Sequence, residues 1–441
     1  MMHRTRLTAV LLAMTAIPAV AVAQPRVFDV QKLFDGEQVI EQARMVIDNG
    51  RVVAAGPRDQ VAVPPEAGAV TPLTYVIPGL ISAHSHVGMV NGVNAGGQNY
   101  RPEVVSKDLA QFQRFGVVAV NALGMNDTAF YALRQSSPTR AQTEATLFGA
   151  GGGVGAAEGA PPSAMNPPGD LQRAGTPQEA RAAVRHFAAQ GVDMIKVWVD
   201  DLNGSVPRMT PDVYAAAIEE AHAQNLKVAA HIHDLEDAKG VLKAGADIIG
   251  HGVRDVPVDD EFIALLKQRD AWYIPTVNIN EAEYIYAENP QWLNDPFFRR
   301  ALNPALEARL RDREWRAQAL SNADAPKRAV AMNIANLRVL HQAGIKIGFG
   351  TDAGATPLRI PGFAEHLELA PLVEAGMTPV EALKVATSQS ARLIGQEDRG
   401  CLRVGCRADF LVLQNDATTD ITASRSLTSV WRDGMQTTPQ R

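Results

Sequence analysis

The chain has 441 residues, a formal net charge of −6 and two cysteines. So few cysteines exclude a disulfide-stapled scaffold, and the acidic balance provides no global basic field to hold nucleic acid. With 46% hydrophobic and 20% charged residues, the chain can bury a large core, and the expected partner is a small-molecule substrate.

His3, Arg4 and Arg6 precede an apolar run over 7–22 that ends in Ala21-Val22-Ala23. A basic start, a short apolar stretch and an A-x-A site read as a secretory signal peptide cleaved after Ala23. The run is interrupted by Pro18 and is too short to span a membrane comfortably. The expectation is an exported protein, periplasmic or secreted, with no membrane partner after cleavage. Next come period-two stretches at 44–48 and 51–54, with Asn49-Gly50 between them as a hairpin signal.

From residue 75 the chain settles into a strand–helix rhythm. Apolar runs rich in Val, Ile or Ala predict strands over 75–83, 117–122, 146–150, 193–199, 227–232, 247–250, 271–276 and 346–350. Helix starts lie between them. Thr176-Pro177-Gln178-Glu179 and Thr378-Pro379-Val380-Glu381 each combine a Thr N-cap, a first-turn Pro and a capping-box Glu. Thr210-Pro211-Asp212 repeats the first two elements, and Gly191, Gly245, Gly344 and Gly376 mark helix ends. Such alternation predicts an α/β fold with a parallel sheet, and this number of strands predicts a closed (β/α)8 TIM barrel. Residues 400–435 return to short strands, including 410–413 and 428–432. The expected division is a signal peptide (1–23), the first part of a β-sandwich (24–75), the barrel (76–395) and the rest of the sandwich (396–441). The small β-sandwich is thus a composite of both chain ends. Cys401 and Cys406 bracket a hairpin-like Val404-Gly405, which leaves a disulfide and two free thiols both open; catalytic thiol chemistry is not expected.

Two connections are too long for plain turns. Residues 149–169 are rich in Gly and Pro. Residues 277–327 carry Tyr284, Tyr286, Trp292, Phe297, Phe298 and Trp315, which either pack on one another or wall the barrel mouth.

The chain has ten histidines. His186, His222, His341 and His366 fall in predicted helices, where solvated or structural roles are the default. His84 and His86, His231 and His233, and His251 fall instead at the C-terminal ends of the first, fifth and sixth predicted strands. In a parallel barrel these ends share one mouth. Side chains two apart on a strand share a face, so His84 and His86 can reach one cation. Asp352, in Gly350-Thr351-Asp352-Ala353-Gly354, adds a carboxylate after the eighth strand. Lys196 interrupts an Ile, Val and Trp run in the fourth. It either snorkels to the rim or offers a neutral amine that takes up carbon dioxide as a metal-bridging carbamate.

The order His-x-His, Lys, His, His, Asp resembles the amidohydrolase superfamily of metal-dependent hydrolases. Further likeness lies in Val76-Ile77-Pro78-Gly79-Leu80-Ile81 before His84, in Thr378-Pro379 with Glu381-Ala382-Leu383, and in residues 405–413. The resemblance implies a distorted (β/α)8 barrel, a split β domain and a binuclear centre. His84, His86 and Asp352 would hold the buried cation and His231 and His251 the more exposed one, with N6-carboxylated Lys196 as the bridge. Both ions are divalent. Zinc suits these ligands first, while manganese, cobalt and iron are compatible. Lys196-Val197-Trp198-Val199 and the His-x-His at 231–233 are similar to Xaa-Pro dipeptidase-like and ochratoxin-cleaving amidases.

In that chemistry the two cations acidify a bridging water, and Asp352 passes its proton to the leaving amine. His233 either stabilises the developing oxyanion or hydrogen-bonds outside the ligand set. Arg254 either binds a substrate carboxylate or forms a surface salt bridge. The expected reaction is hydrolysis of amide or peptide bonds in small N-acyl amino acids or dipeptides, ochratoxin-type amides included. Lactones, imidazolonepropionate-like cyclic amides and organophosphate esters are alternative substrates of the same site. Deamination is disfavoured, because Lys196 is present and Asp234-Leu235-Glu236 does not clearly supply the required glutamate. A barrel kept only for binding would show a broken ligand set, whereas every expected ligand type is present. A homo-oligomer is expected.

Overall fold

The computed structural model describes residues 24–437 except residue 166; the expected signal peptide lies outside the described residues. Both chain ends enter one seven-stranded sheet. Strand Arg26–Phe34 pairs antiparallel with Val39–Asp48 and parallel with Thr71–Pro78. Val39–Asp48 turns back on Arg51–Pro57 through Asn49 and Gly50, whose φ values are +47 and +76. Asn and Gly enter this left-handed region at the least steric cost. Phe410–Leu413, antiparallel to Thr71–Pro78, then Leu427–Arg432 and Met435–Gln436 complete the sheet. Phe28 and Trp431 lie on strands three places apart, which a flat sheet would separate by about 14 Å. Their ring centroids are 5.2 Å apart, so the sheet curls over its own apolar face. Phe28, Met45, Leu402, Phe410 and Trp431 form the core it encloses.

The expected strand 75–83 is two strands, because the chain changes sheets at Gly79. A Cβ there would stand 2.3 Å from Val118 Cγ1, so only glycine permits the crossing. Beyond it, Leu80–Ser85, Val117–Ala122 and Thr146–Gly149 run parallel. Met194–Trp198, Lys227–His231, Ile248–Ile249, Trp272–Tyr273 and Lys346–Ile347 form a second parallel run. Hydrogen bonds link the two groups on both sides. Asp193 N donates to Gly149 O at 3.0 Å, and Ala83 N donates to Phe349 O at 2.7 Å. The 149–169 connection is partly ordered as strand. Val154–Ala156 pairs with Gln172–Ala174 and touches Met194–Trp198.

Thr176 and Thr378 make the expected capping boxes with Glu179 and Glu381. Thr210 does not cap its helix; its hydroxyl donates to Asp212 Oδ1 at 2.6 Å instead. Short helices fill 277–327, and Tyr286, Phe297 and Phe298 pack there with Phe115, Phe363 and Leu367. A disulfide joins Cys401 and Cys406. Among the described residues no helix is long and apolar enough to cross a membrane.

A buried ion cluster ties the terminal sheet to the parallel strands. Arg399 Nη1 donates to Asp409 Oδ2 at 2.9 Å, and Arg432 Nε lies 3.2 Å from Asp409 Oδ1. Arg432 also donates to Glu144 O and Thr146 Oγ1 at 3.1 Å, which anchors the third parallel strand. Burial alone would raise the Asp409 carboxyl, but Arg432 and Arg399 hold it below its ordinary value. Asp409→Asn leaves two buried guanidiniums without their anion and is expected to cost about 3–5 kcal/mol in urea denaturation at neutral pH. A depressed carboxyl contributes its stability above the unfolded value of 3.8 and loses it as pH falls through the folded one. The gap between wild type and variant is therefore expected to close in acid.

Candidate active site

The C-terminal ends of the parallel strands bring most of the expected residues together. His84, His251 and Asp352 are buried, with ligand atoms within 4.8 Å of one another. His84 Nε2 stands 3.2 Å and His86 Nε2 3.0 Å from the same oxygen, Asp352 Oδ1. The His84 and His251 rings centre 4.5 Å apart, and those of His251 and His231 4.3 Å apart. Lys196 is fully buried beside them. A Cβ on Gly250 would come within 3.0 Å of its Nζ, so the glycine before His251 leaves room for the amine.

The far side of each imidazole is tied down. His84 Nδ1 donates to Gly250 O at 2.5 Å and His86 Nδ1 to Gly124 O at 3.1 Å. Because a carbonyl only accepts, both Nδ1 atoms carry a proton, and His84 Nε2, which has no hydrogen-bond partner among the described residues, turns its lone pair toward Asp352. Burial pushes His84 down to about 3 and His231 to about 4, so neither ring is charged at neutral pH. The lone pair of the neutral His84 ring and a carboxylate oxygen repel at 3.2 Å unless a cation joins them. His251 Nδ1 lies 3.0 Å from Thr276 Oγ1. Thr276 has φ +45, a strained conformation for a β-branched residue and one that costs about 1–3 kcal/mol. Two buried atoms, His84 Nε2 and Lys196 Nζ, have no hydrogen-bond partner. Burial lowers the Lys196 amine to about 7. The donors and these unpartnered atoms fit a divalent cation site.

His233 does not join the cluster. Its Nδ1 pairs with Asp234 Oδ1 at 2.7 Å, and it lines a neighbouring groove with Asn203 and Asp255. The strand stops at His231, so the alternation that would place residue 233 on the same face no longer applies. Arg254 lines both this groove and the central cavity. Its Nη1 donates to Gly252 O at 2.8 Å, and among the described residues it makes no ion pair.

Sequence reasoning missed two polar neighbours. Asp200 Oδ2 lies 3.1 Å from His231 Nε2. Burial would raise Asp200, but His231 holds it below the carboxylate range. A carboxylate just past the end of the fourth strand was a usable signal, as it was for Asp352. Arg359 pairs with Asp352 Oδ2; it lies in coil and nothing local marks it. These groups surround a cavity of about 200 Å³. Its remaining wall is largely apolar, with Met125, Trp198, Leu202 and Ile279, and with Pro161 and Pro162 from the 149–169 segment. Among the described residues Ile279 is the one residue of 277–327 in that lining, and Tyr286, Trp292, Phe297, Phe298 and Trp315 pack in a core of their own.

The sequence pattern of the amidohydrolase family matches residues 75–437. The chain belongs to the amidohydrolase family. It is 29% identical to ochratoxinase of Aspergillus niger over 269 residues, 58% of this chain and 48% of that protein. It is 30% identical to an uncharacterized protein of Mycobacterium tuberculosis over 234 residues, 52% of this chain and 55% of that one. The chain thus spans about half the length of these curated relatives. Among solved structures, an Xaa-Pro dipeptidase with bound methionine in its active site superposes with a TM-score of 0.74 at 23% identity, covering 94% of this chain and 99% of that one. The crystal structure of A. niger ochratoxinase gives 0.71 at 21%, covering 94% and 95%. At these identities the structures show a shared fold.

Thr276→Val keeps the β-branched shape and removes only the hydroxyl facing His251. Leaving the buried Nδ1 without a partner is expected to cost about 1–3 kcal/mol, read as a lower midpoint in chemical denaturation.

Proposed function

We propose that this amidohydrolase is a metal-dependent amidase acting on small N-acyl amino acids or dipeptides, ochratoxin-type amides included. The observation that carries this reading is the convergence of His86, His231, His251, Lys196, Asp200 and Asp352 on a single cavity with a largely apolar wall, with His84 buried beside His251 and Asp352. We read the parallel strands as a (β/α)8 barrel, supported by the hydrogen bonds across both of its seams, and the curled terminal sheet as its composite β domain.

Two divalent cations, zinc being best suited, would be held by His84, His86 and Asp352 and by His231 and His251, with Lys196 carboxylated between them. When bound, they supply Lewis acidity for the scissile carbonyl and an acidified water. The chain's own residues do the rest. Lys196 has no hydrogen-bond partner and a lowered pKa, so a free amine is available to add carbon dioxide with loss of a proton. Asp352 takes the proton of the attacking water and delivers it to the departing nitrogen. Arg359 pairs with Asp352 Oδ2, which leaves Oδ1 turned toward the histidines. Arg254, which makes no ion pair among the described residues, takes the substrate carboxylate. Met125, Trp198 and Leu202 receive the apolar part of the substrate and exclude water.

The purified protein, with and without a chelator, is to be assayed on dipeptides, N-acyl amino acids, lactones and phosphotriesters. Turnover of amides that disappears on chelation is expected; turnover of lactones or phosphotriesters alone would overturn the amide reading. Lys196→Ala is expected to lose cations and about 100-fold or more in activity, with partial rescue by short carboxylic acids. Full activity with two metals per chain in that variant would sink the bridging role.

A further inference from the structure

Helix Phe363–Glu374 carries two fully buried carboxylates, Glu365 and Glu368, that take no part in the steps above. Three positions apart, they share one face of the helix. Glu365 Oε1 accepts hydrogen bonds from Thr351 Oγ1 at 2.6 Å, Ser82 Oγ at 3.1 Å and Ser85 Oγ at 3.4 Å. These donors flank the candidate ligands. Ser82 and Ser85 bracket His84, Ser85 precedes His86, and Thr351 precedes Asp352. The other oxygen, Oε2, accepts Gly362 N at 2.8 Å, which fixes the carboxylate to the start of its own helix. Glu368 accepts Val277 N at 2.7 Å and Asn278 N at 2.8 Å. Those amides directly follow Thr276, whose hydroxyl meets His251.

An apolar side chain would fill either position without the cost of burying a carboxylate, which raises the pKa of both. What an apolar side chain cannot do is gather directional donors from separate segments of the chain onto one point. We infer that this helix face is a clamp that sets the spacing of the cation ligands. Glu365 holds the segments carrying His84, His86 and Asp352 in register, and Glu368 holds the Thr276–His251 pair. Both are positioning residues, and the inference rests on the metal-centre reading above.

The test uses the full chain and zinc alone, with affinity measured by competition against a chromophoric chelator. The melting temperature of the metal-free protein is measured in parallel. Glu365→Gln and Glu368→Gln keep side-chain volume and are each expected to weaken zinc binding about 10-fold or more, as loss of an outer-sphere partner does. Thr351→Val, which leaves Glu365 in place, is expected to weaken it in the same direction. It carries the test by itself if Glu365→Gln does not fold. A clamp that only props the fold would lower the metal-free melting temperature and leave zinc affinity within about twofold. That outcome overturns the inference while the metal centre stands. Wild-type protein that takes up no zinc overturns the metal centre, and the clamp with it.

Discussion

Taking the Lys196 amine out of water costs several kcal/mol if it remains charged, and its surroundings are arranged so that it need not. Burial lowers its pKa to about 7 and keeps His84, His231 and His251 neutral as well. Only because these three rings are uncharged can they centre 4.3 and 4.5 Å apart without strong repulsion. Asp352, the carboxylate that meets both His84 and His86, is restrained on its outer oxygen by Arg359. Buried imidazoles and an unpartnered amine beside two carboxylates form a poor protein interior but a good cation site.

Holding such a site requires each donor to be fixed by something other than its neighbours. The backbone supplies part of this, since Gly250 O and Gly124 O fix the His84 and His86 rings through Nδ1. Strained backbone supplies more: Asp352 has φ +59 and Thr276 φ +45. Neither conformation persists unless surrounding packing pays for it. The terminal sheet contributes as well. Its strand Thr71–Pro78 runs through Gly79 directly into Leu80–Ser85, which carries His84. Arg432 then ties that sheet to Thr146 on a parallel strand.

Much of this was legible in the residues because its signals are local. Asn49-Gly50 dictates its turn, Thr176 and Glu179 define a helix start, and runs of Val, Ile and Ala mark the parallel strands. Signals that depend on contacts across the chain were not legible. The split at Gly79 follows from Val118, far along the chain. Val154–Ala156, which pairs with Gln172–Ala174, lies in a segment whose Gly and Pro content reads as loop. His233 illustrates the boundary: alternation places it beside His231 only while the strand continues, and the strand ends there.

What the sequence by itself determined is the chemistry on offer: which donor types exist, on which strand ends, and at what spacing. Residue type and strand periodicity are properties of neighbours along the chain, and they survive without a fold. Only the tertiary structure decided which donors meet. His231 turned toward His251 and Asp200, and His233 toward Asp234. Arg359 found Asp352 from coil, and Glu365 collected hydroxyls from a strand and from the coil that carries Thr351. Those outcomes depend on distances across the interior, set by packing and by where each strand stops, and no local pattern encodes them.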